Sequence, residues 1–268
     1  MTDTNTGNGR YAGHGGPAGG PLAGCAALVT GASSGIGAAT AVALARQGAD
    51  LAVVARRTER LEGLAATVRE EGRSCAVLTA DLRNAEQARQ CVEDAVERCG
   101  RLDVLVNNAG YATTGAVEES DPDGWRRMID LNVEAVLQTS RQALPHLLRA
   151  ASDGPRGVAD LVNVSSTAGR VPRGNNSVYS ATKHAVGAFS EALRQEVTAR
   201  GVRVGLVEPG MTATELTTAD WASAVARGMP RESWLRPEDI ARSIAFMVTQ
   251  PPHAAVNEIL VRPTAQEH

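Results

Sequence analysis

The sequence predicts a doubly wound α/β three-layer sandwich, a parallel sheet held between two layers of helices. Three observations lead there. From residue 25 onward, short apolar or β-branched runs alternate with longer amphipathic stretches, the pattern of parallel strands joined by crossover helices. The runs are continuously apolar rather than alternating, as strands are when both sheet faces are covered. The apolar share of 43% is mostly Ala, Val and Leu with only 3% aromatic, which suits small-residue helices packed on a Val/Leu-rich sheet.

The first strand is expected at 26–30, followed by a glycine-rich turn and a helix near 36–47. A second strand at 51–55 precedes a helix near 58–71, and a third at 75–79 precedes one near 84–99. The fourth strand, 102–107, leads into a long helical stretch, 123–150. A turn-rich surface connection, 151–158, then reaches the fifth strand at 159–164. A helix near 177–200, a strand at 203–207, a helix near 238–249 and a final strand at 258–261 complete the body. No repeat or linker divides it, so residues 25–268 read as one domain. Residues 1–24, rich in Gly, Thr and Asn, offer little to bury and are expected to form a disordered tail.

Composition excludes several classes. A net charge of −3 is too small to imply nucleic acid or a membrane surface as partner. The four cysteines show neither CxxC nor Cys/His spacing, so reduced structural thiols and no metal are expected. No run reaches transmembrane length and no signal pattern opens the chain, which reads as a cytoplasmic protein.

The chemistry-bearing residues lie where strands end. Lys183 is the single lysine among 27 basic residues and stands four after Tyr179, on the same face of a helix. A compact ammonium can hydrogen-bond a sugar hydroxyl and stabilise a phenolate, which a forked guanidinium does poorly. The run Thr30-Gly31-Ala32-Ser33-Ser34-Gly35-Ile36-Gly37 opens the first helix. Its glycines allow a pyrophosphate to approach the free N–H groups of the helix start. At the end of the second strand an acidic residue would select NAD. Here stand Ala55, Arg56 and Arg57, which favours NADP. Arg56 is the stronger candidate for the 2′-phosphate, and Arg57 is balanced between that role and a solvated face. Asp81 either accepts from an adenine amino group or caps the next helix. Asn107-Asn108-Ala109-Gly110 ends the fourth strand as a small-residue turn. Asn132, inside a helical stretch, is either exposed or holds a polar group or water. Ser165 and Ser166 end the fifth strand, and Ser166 lies thirteen residues before Tyr179.

Taken together, TGxxxGIG at 30–37, NNAG at 107–110, Asn132, Ser166, YxxxK at 179–183 and Pro209-Gly210 resemble the short-chain dehydrogenase/reductase family. The resemblance spans residues 22–264. It implies a Rossmann-type sheet of seven strands in the order 3-2-1-4-5-6-7, usually as a homotetramer or homodimer. It implies Tyr179 as general acid/base, needing its phenol pulled below the usual value of about 10. Lys183 would supply that charge and bind the nicotinamide ribose, Ser166 would bind the substrate oxygen, and Asn132 would hold a relay water. The cofactor contacts implied are Gly31, Ser33, Ser34, Gly35, Ile36, Gly37, Arg56, Arg57, Asp81, Leu82, Asn108, Ala109, Gly110, Tyr179, Lys183, Pro209, Gly210, Thr212 and Thr214. His184 is turned about 100° from Lys183 and is not expected to be catalytic.

Segments 237–241 and 256–264 are similar to dehydrogenases of serine and small 3-hydroxy acids, and to clavulanate-type enzymes of secondary metabolism. The function implied is an NADP-dependent oxidoreductase interconverting a carbonyl and an alcohol on a small molecule, preferring NADPH over NADH. Two alternatives stay open: an epimerase or dehydratase that uses the cofactor without net redox, and a non-catalytic NADP-binding protein. The stretch 212–236 is expected to be a substrate lid. Trp221, Met229 and Trp234 suggest a partly apolar pocket, and Arg227, Arg231 and Arg236 either meet a substrate carboxylate or are solvated.

Overall fold

The computed structural model describes residues 19–217 and 228–267, so Trp221 and Arg227 lie outside the described residues. Seven strands form one parallel sheet: β1 (Ala26–Thr30), β2 (Asp50–Ala55), β3 (Cys75–Thr79), β4 (Val104–Asn107), β5 (Ala159–Val164), β6 (Val202–Pro209) and β7 (Glu258–Val261), in the order β3-β2-β1-β4-β5-β6-β7. Its helices are α1 (Gly35–Arg46), α2 (Thr58–Glu70), α3 (Ala85–Cys99), α4 (Pro122–Ile129), α5 (Ala135–Asp153), α6 (Ser177–Val197) and α7 (Pro237–Val248).

Successive strand residues point to opposite faces, and they divide the core in two. Val29, Val53 and Val106 pack with α1, α2 and α7, whereas Leu28, Val54 and Leu105 pack with α3, α5 and α6. Helix α1 buries Thr40, Ala41, Leu44 and Ala45, and these small side chains meet Ile240 and Ile244 of α7. Buried ion pairs staple the amino edge of the sheet, away from the site. Arg101 is bidentate on Asp103, and Arg203 and Arg156 both pair with Asp160. Burial of Asp103, Asp160, Arg156 and Arg203 is tolerated because each is paired and hydrogen-bonded.

The structure corrects four expectations. Residues 19–24 are not tail: Leu22 is fully buried and its N–H donates to the Gln47 carbonyl at 2.8 Å. Residues 1–18 lie outside the described residues. The helix expected at 123–150 is broken, because Asp130–Glu134 forms a π-turn between α4 and α5. The connection at 151–158 is shorter than expected, since α5 continues to Asp153, but it lies at the surface as expected, with Pro155 and Gly157 exposed and only the Arg156 side chain drawn onto Asp160. Strand β6 runs on to Pro209 because β7 pairs with it as far as Val261. The four cysteines are free, and burial raises the Cys25 thiol to about 11 and those of Cys75 and Cys91 to about 12. Among the described residues, no helix is long and apolar enough to cross a membrane.

Candidate active site

The carboxyl ends of β1, β4, β5 and β6 converge with the starts of α1 and α6 on one edge of the sheet. Such an edge is where open α/β sheets bind ligands, at the point where strand order reverses. Here that point lies between β1 and β4.

The glycine-rich turn is locked to the turn after β4. Thr30 Oγ1 accepts from the N–H groups of Asn108 and Ala109 at 2.9 and 3.0 Å, and Asn108 Nδ2 donates back to the Thr30 carbonyl at 2.8 Å. Gly31 has φ +66°, and a Cβ there would stand 2.7 Å from Ala109 Cα. A Cβ at Gly37 would lie 2.5 Å from both the Gly31 carbonyl oxygen and Asn108 Nδ2. Both positions therefore need glycine for close approach, and Gly31 needs it for its left-handed conformation as well. Gly37→Ala is expected to destabilise the fold by about 1–3 kcal/mol through overpacking. Urea denaturation would measure this, and a cost within experimental error would mean that the two turns are not tightly joined. Ser34, the residue before α1, makes no capping hydrogen bond with its side chain. The first amides of the helix are thus left available to an anionic group.

Arg57 is the arginine that reaches this turn. Its guanidinium donates to Ser33 Oγ at 2.9 Å and Ser34 Oγ at 2.8 Å. Arg56 is exposed and sits near enough to Asp81 to contribute, weakly, to that carboxyl's lowered pKa; the hydrogen bonds from Arg83 are the main cause. Asp81 does not cap α3. Asn84 does so, accepting from the N–H groups of Glu86 and Gln87, while Asp81 pairs with Arg83 at 2.5 Å. Leu82 beside it is buried.

On the other side of the edge, Tyr179 and Lys183 lie one turn apart on α6. The Lys183 ammonium is 5.7 Å from the centre of the Tyr179 ring and donates to the Val164 carbonyl at 2.8 Å. Lys183 is 5% exposed, and among the described residues it makes no ion pair with a carboxylate. Burial alone lowers its pKa to about 8. Ser165 Oγ donates to the Lys183 carbonyl at 3.1 Å, fastening the end of β5 to α6. Ser166 Oγ accepts from the Ala168 N–H at 3.1 Å, which orients the hydroxyl and keeps its own hydrogen for another partner. A Cβ on Gly110 would come within 3.6 Å of Asn132 Oδ1 and 3.9 Å of Lys183 Nζ. The NNAG turn, the π-turn and α6 thus meet at one place.

Asn132 is buried and clamps the backbone of Tyr111 from both sides. Its Oδ1 accepts from the Tyr111 N–H and its Nδ2 donates to the Tyr111 carbonyl, both at 2.8 Å; Nδ2 also reaches Thr182 Oγ1 at 3.1 Å. Of the two options left by the sequence, this is the one in which the side chain holds a polar group. The π-turn supplies the geometry, as single π-turns often do at functional sites.

The segment after β6 closes the ring. Gly210 donates to the Val261 carbonyl at 2.7 Å, and the segment's Thr212 bridges to Leu235. A Cβ on Gly35 would lie 3.1 Å from Thr214 Cγ2, so Thr214 stands against the glycine-rich turn. Met229 and Trp234 pack together with Met211 and Ala213, apart from the main core. Arg236 serves at the start of α7, where its N–H donates to Asp239 at 2.7 Å. His184 is exposed and bonds through Nδ1 to the Ser180 carbonyl. Two participants escaped the sequence reading: Thr217, whose Oγ1 ties the segment together by donating to the Thr212 carbonyl, and Glu215, which forms an ion pair at 2.8 Å with Arg60 beside Arg57.

Comparison with known proteins places the chain among known relatives. The family model for short chain dehydrogenases matches residues 25–224. The glycine betaine reductase of Emericella nidulans is 40% identical over 91% of this chain, which spans only 19% of that much longer protein. An uncharacterized oxidoreductase of Staphylococcus saprophyticus is 35% identical over 88% of this chain and 96% of its own length. Among solved structures, the alcohol dehydrogenase of the archaeon Thermococcus sibiricus, complexed with 5-hydroxy-NADP, superposes with a TM-score of 0.81 and 29% identity. That match covers 91% of this chain and 98% of the other. Other solved neighbours hold NADP, and some hold NADH or NAD.

Proposed function

The chain belongs to the short-chain dehydrogenase/reductase family, and from that premise we propose that it is an NADP-dependent oxidoreductase interconverting a carbonyl and an alcohol on a small molecule. The observation that carries this reading is the buried Lys183 one turn from Tyr179, with no carboxylate paired to it among the described residues and with Ser166 in the turn just after β5. A nicotinamide cofactor, when bound, supplies or accepts the hydride. What the chain's own residues contribute is alignment and a proton.

In this reading the Tyr179 hydroxyl gives its proton to the substrate oxygen during reduction and takes it back during oxidation. The Lys183 charge, held in a low-dielectric setting, favours the phenolate that this exchange leaves behind. Its ammonium also offers hydrogens to a ribose hydroxyl. Ser166 donates its O–H to the same substrate oxygen and so fixes the angle of approach. Asn132 positions the backbone of residues 110–111 against Lys183; a relay water held there is part of the proposal. Gly31, Gly35, Ile36 and Gly37 shape the turn that would receive the pyrophosphate, while Asn108, Ala109 and Gly110 would border the adenosine ribose. Pro209, Gly210, Thr212 and Thr214 would orient the nicotinamide, and Asp81 and Leu82 would border the adenine.

The residues present suit a 2′-phosphorylated cofactor. The donors Arg57, Arg60 and Ser34 converge on an oxyanion, at present the Glu215 carboxylate. This supports NADPH over NADH, with Arg56 as an additional positive charge nearby. Calorimetric titration with each cofactor tests the point. Charge reversal by Arg57→Glu or Arg56→Glu is expected to weaken NADPH by more than about tenfold relative to NADH. Equal losses for both cofactors would remove the argument for NADP. The similarity of segments 237–241 and 256–264 supports small hydroxy acids, or a tailoring step in secondary metabolism, as the first substrates to screen. Phe246 on α7 and Leu260 on the edge strand β7 are exposed apolar residues, which supports assembly as a homotetramer or homodimer.

A further inference from the structure

Glu215 stands in the short segment between β6 and the undescribed residues, and nothing in the family signature assigns it a task. Its carboxylate is anchored on the far side of the molecule's sequence, against the second strand's end. Oε2 lies 2.8 Å from Arg57 Nη1 and accepts from Ser34 Oγ at 3.2 Å, while Oε1 accepts from Arg60 Nη1 at 2.8 Å. The contact is built rather than casual. The Thr217 hydroxyl donates to the Thr212 carbonyl at 2.5 Å and accepts from the Thr214 N–H at 3.0 Å, forming a tight turn that presents residue 215. Thr214, one residue earlier, packs against Gly35 of the phosphate turn. The Arg57 guanidinium, helped by Ser34 and Arg60, holds the Glu215 carboxyl below the usual carboxylate range, so it is ionised at neutral pH.

We propose that Glu215 sets how strongly the enzyme discriminates between NADPH and NADH, by engaging with its own carboxylate the donors that a 2′-phosphate needs. This rests on the reading of Arg57 and Ser34 as part of the 2′-phosphate pocket. A phosphate arriving there must displace the carboxylate from Arg57 or share the guanidinium with it at close range, where like charges repel. A cofactor with a free 2′-hydroxyl makes no such demand and leaves the Glu215 contacts intact. The carboxylate therefore subtracts from NADPH affinity and leaves NADH nearly untouched. The subtraction is moderate, because the three side chains are 42–55% exposed and exposed ion pairs are individually weak.

The test is calorimetric titration of the full-length wild type, Glu215→Gln and Arg57→Gln with NADPH, NADH and 2′,5′-ADP. Glu215→Gln is expected to tighten NADPH and 2′,5′-ADP by about three- to tenfold while NADH stays within about twofold. Arg57→Gln is expected to weaken only the two 2′-phosphorylated ligands. If Arg57→Gln behaves so and Glu215→Gln leaves the NADPH/NADH ratio unchanged, the role given to Glu215 is wrong and the pocket stands. If neither substitution changes the ratio, the pocket assignment fails and the role of Glu215 falls with it. Equal weakening of all three ligands by Glu215→Gln would show a purely structural contact, and also overturns the proposal.

Discussion

Tyr179→Phe is expected to lower turnover by about 10²–10⁴-fold, the range a positioned general acid/base contributes, while cofactor affinity stays near wild type. Phenylalanine keeps the ring and its packing on α6 but removes the hydroxyl proposed to exchange a proton with the substrate oxygen. Two neighbouring contacts are made by other atoms: Thr182 Oγ1 donates to the Tyr179 backbone carbonyl at 2.7 Å, and Lys183 is fastened to Val164. The measurement is steady-state kinetics on whichever substrate the screen identifies, beside a cofactor titration of the same preparation. A variant that retains full turnover would show that the acid/base lies elsewhere. Equal loss of turnover and cofactor binding would instead make Tyr179 a binding residue.

Lys183→Met is expected to cost about 10²–10³-fold in turnover, comparable to removing one preorganised electrostatic stabiliser, and to leave a separate mark on stability. Folding takes the ammonium out of water with no carboxylate paired to it among the described residues, and burial lowers its pKa to about 8. In the unfolded chain the same group titrates at about 10.4. Between those two values the unfolded state binds more protons than the folded one, so stability contributed by this group rises with pH. Below about pH 8 both states are protonated and the contribution is constant. The wild type should therefore gain stability over Lys183→Met as pH rises from about 8 to about 10, by an amount on the order of 3 kcal/mol. Urea denaturation of the cofactor-free proteins at several pH values measures the difference. A gap between the two proteins that does not vary with pH would mean that Lys183 is not titrated by its burial. The wild type thus carries a buried charge that a methionine would spare it, the usual relation between an active site and the stability of its scaffold.

Much of the architecture was legible because its determinants are local. Strands β1, β3, β5 and β7 begin and end where their apolar runs do; β1 and β5 are buried along their whole length, as such runs predict, while β3 and β7 at the sheet edges stay partly exposed. The glycine-rich turn announced its own place, since only glycine tolerates the approach of Ala109 and of the Gly31 carbonyl. The break at Asn132 was hidden. A π-turn absorbs one extra residue without ending the helix, and Asp130–Glu134 contains no Pro or Gly to mark it, so the stretch reads as one helix. Asn132 itself was the visible sign, as a polar residue where propensity disfavours one. The tail boundary was misread because Leu22 is a lone apolar residue among glycines, and its burial depends on Gln47, which is distant in sequence. The contact between Glu215 and Arg57 was illegible for the same reason. An exposed Glu and an exposed Arg separated by so much sequence carry no mark of partnership. That Arg57 rather than Arg56 reaches Ser33 and Ser34 likewise could not be read from adjacency, since a one-residue step at a strand's end redirects the side chain.

The most direct test of the account is to incubate the enzyme with NADPH and a panel of aldehydes, ketones and 3-oxo acids. Both the near-ultraviolet absorbance of the reduced cofactor and the organic products would be followed, with Tyr179→Phe as control. The account predicts a carbonyl converted to its alcohol in one-to-one proportion with loss of reduced cofactor, and no conversion by the control. A substrate transformed while the cofactor absorbance stays constant would contradict it, and would place the epimerase or dehydratase reading first.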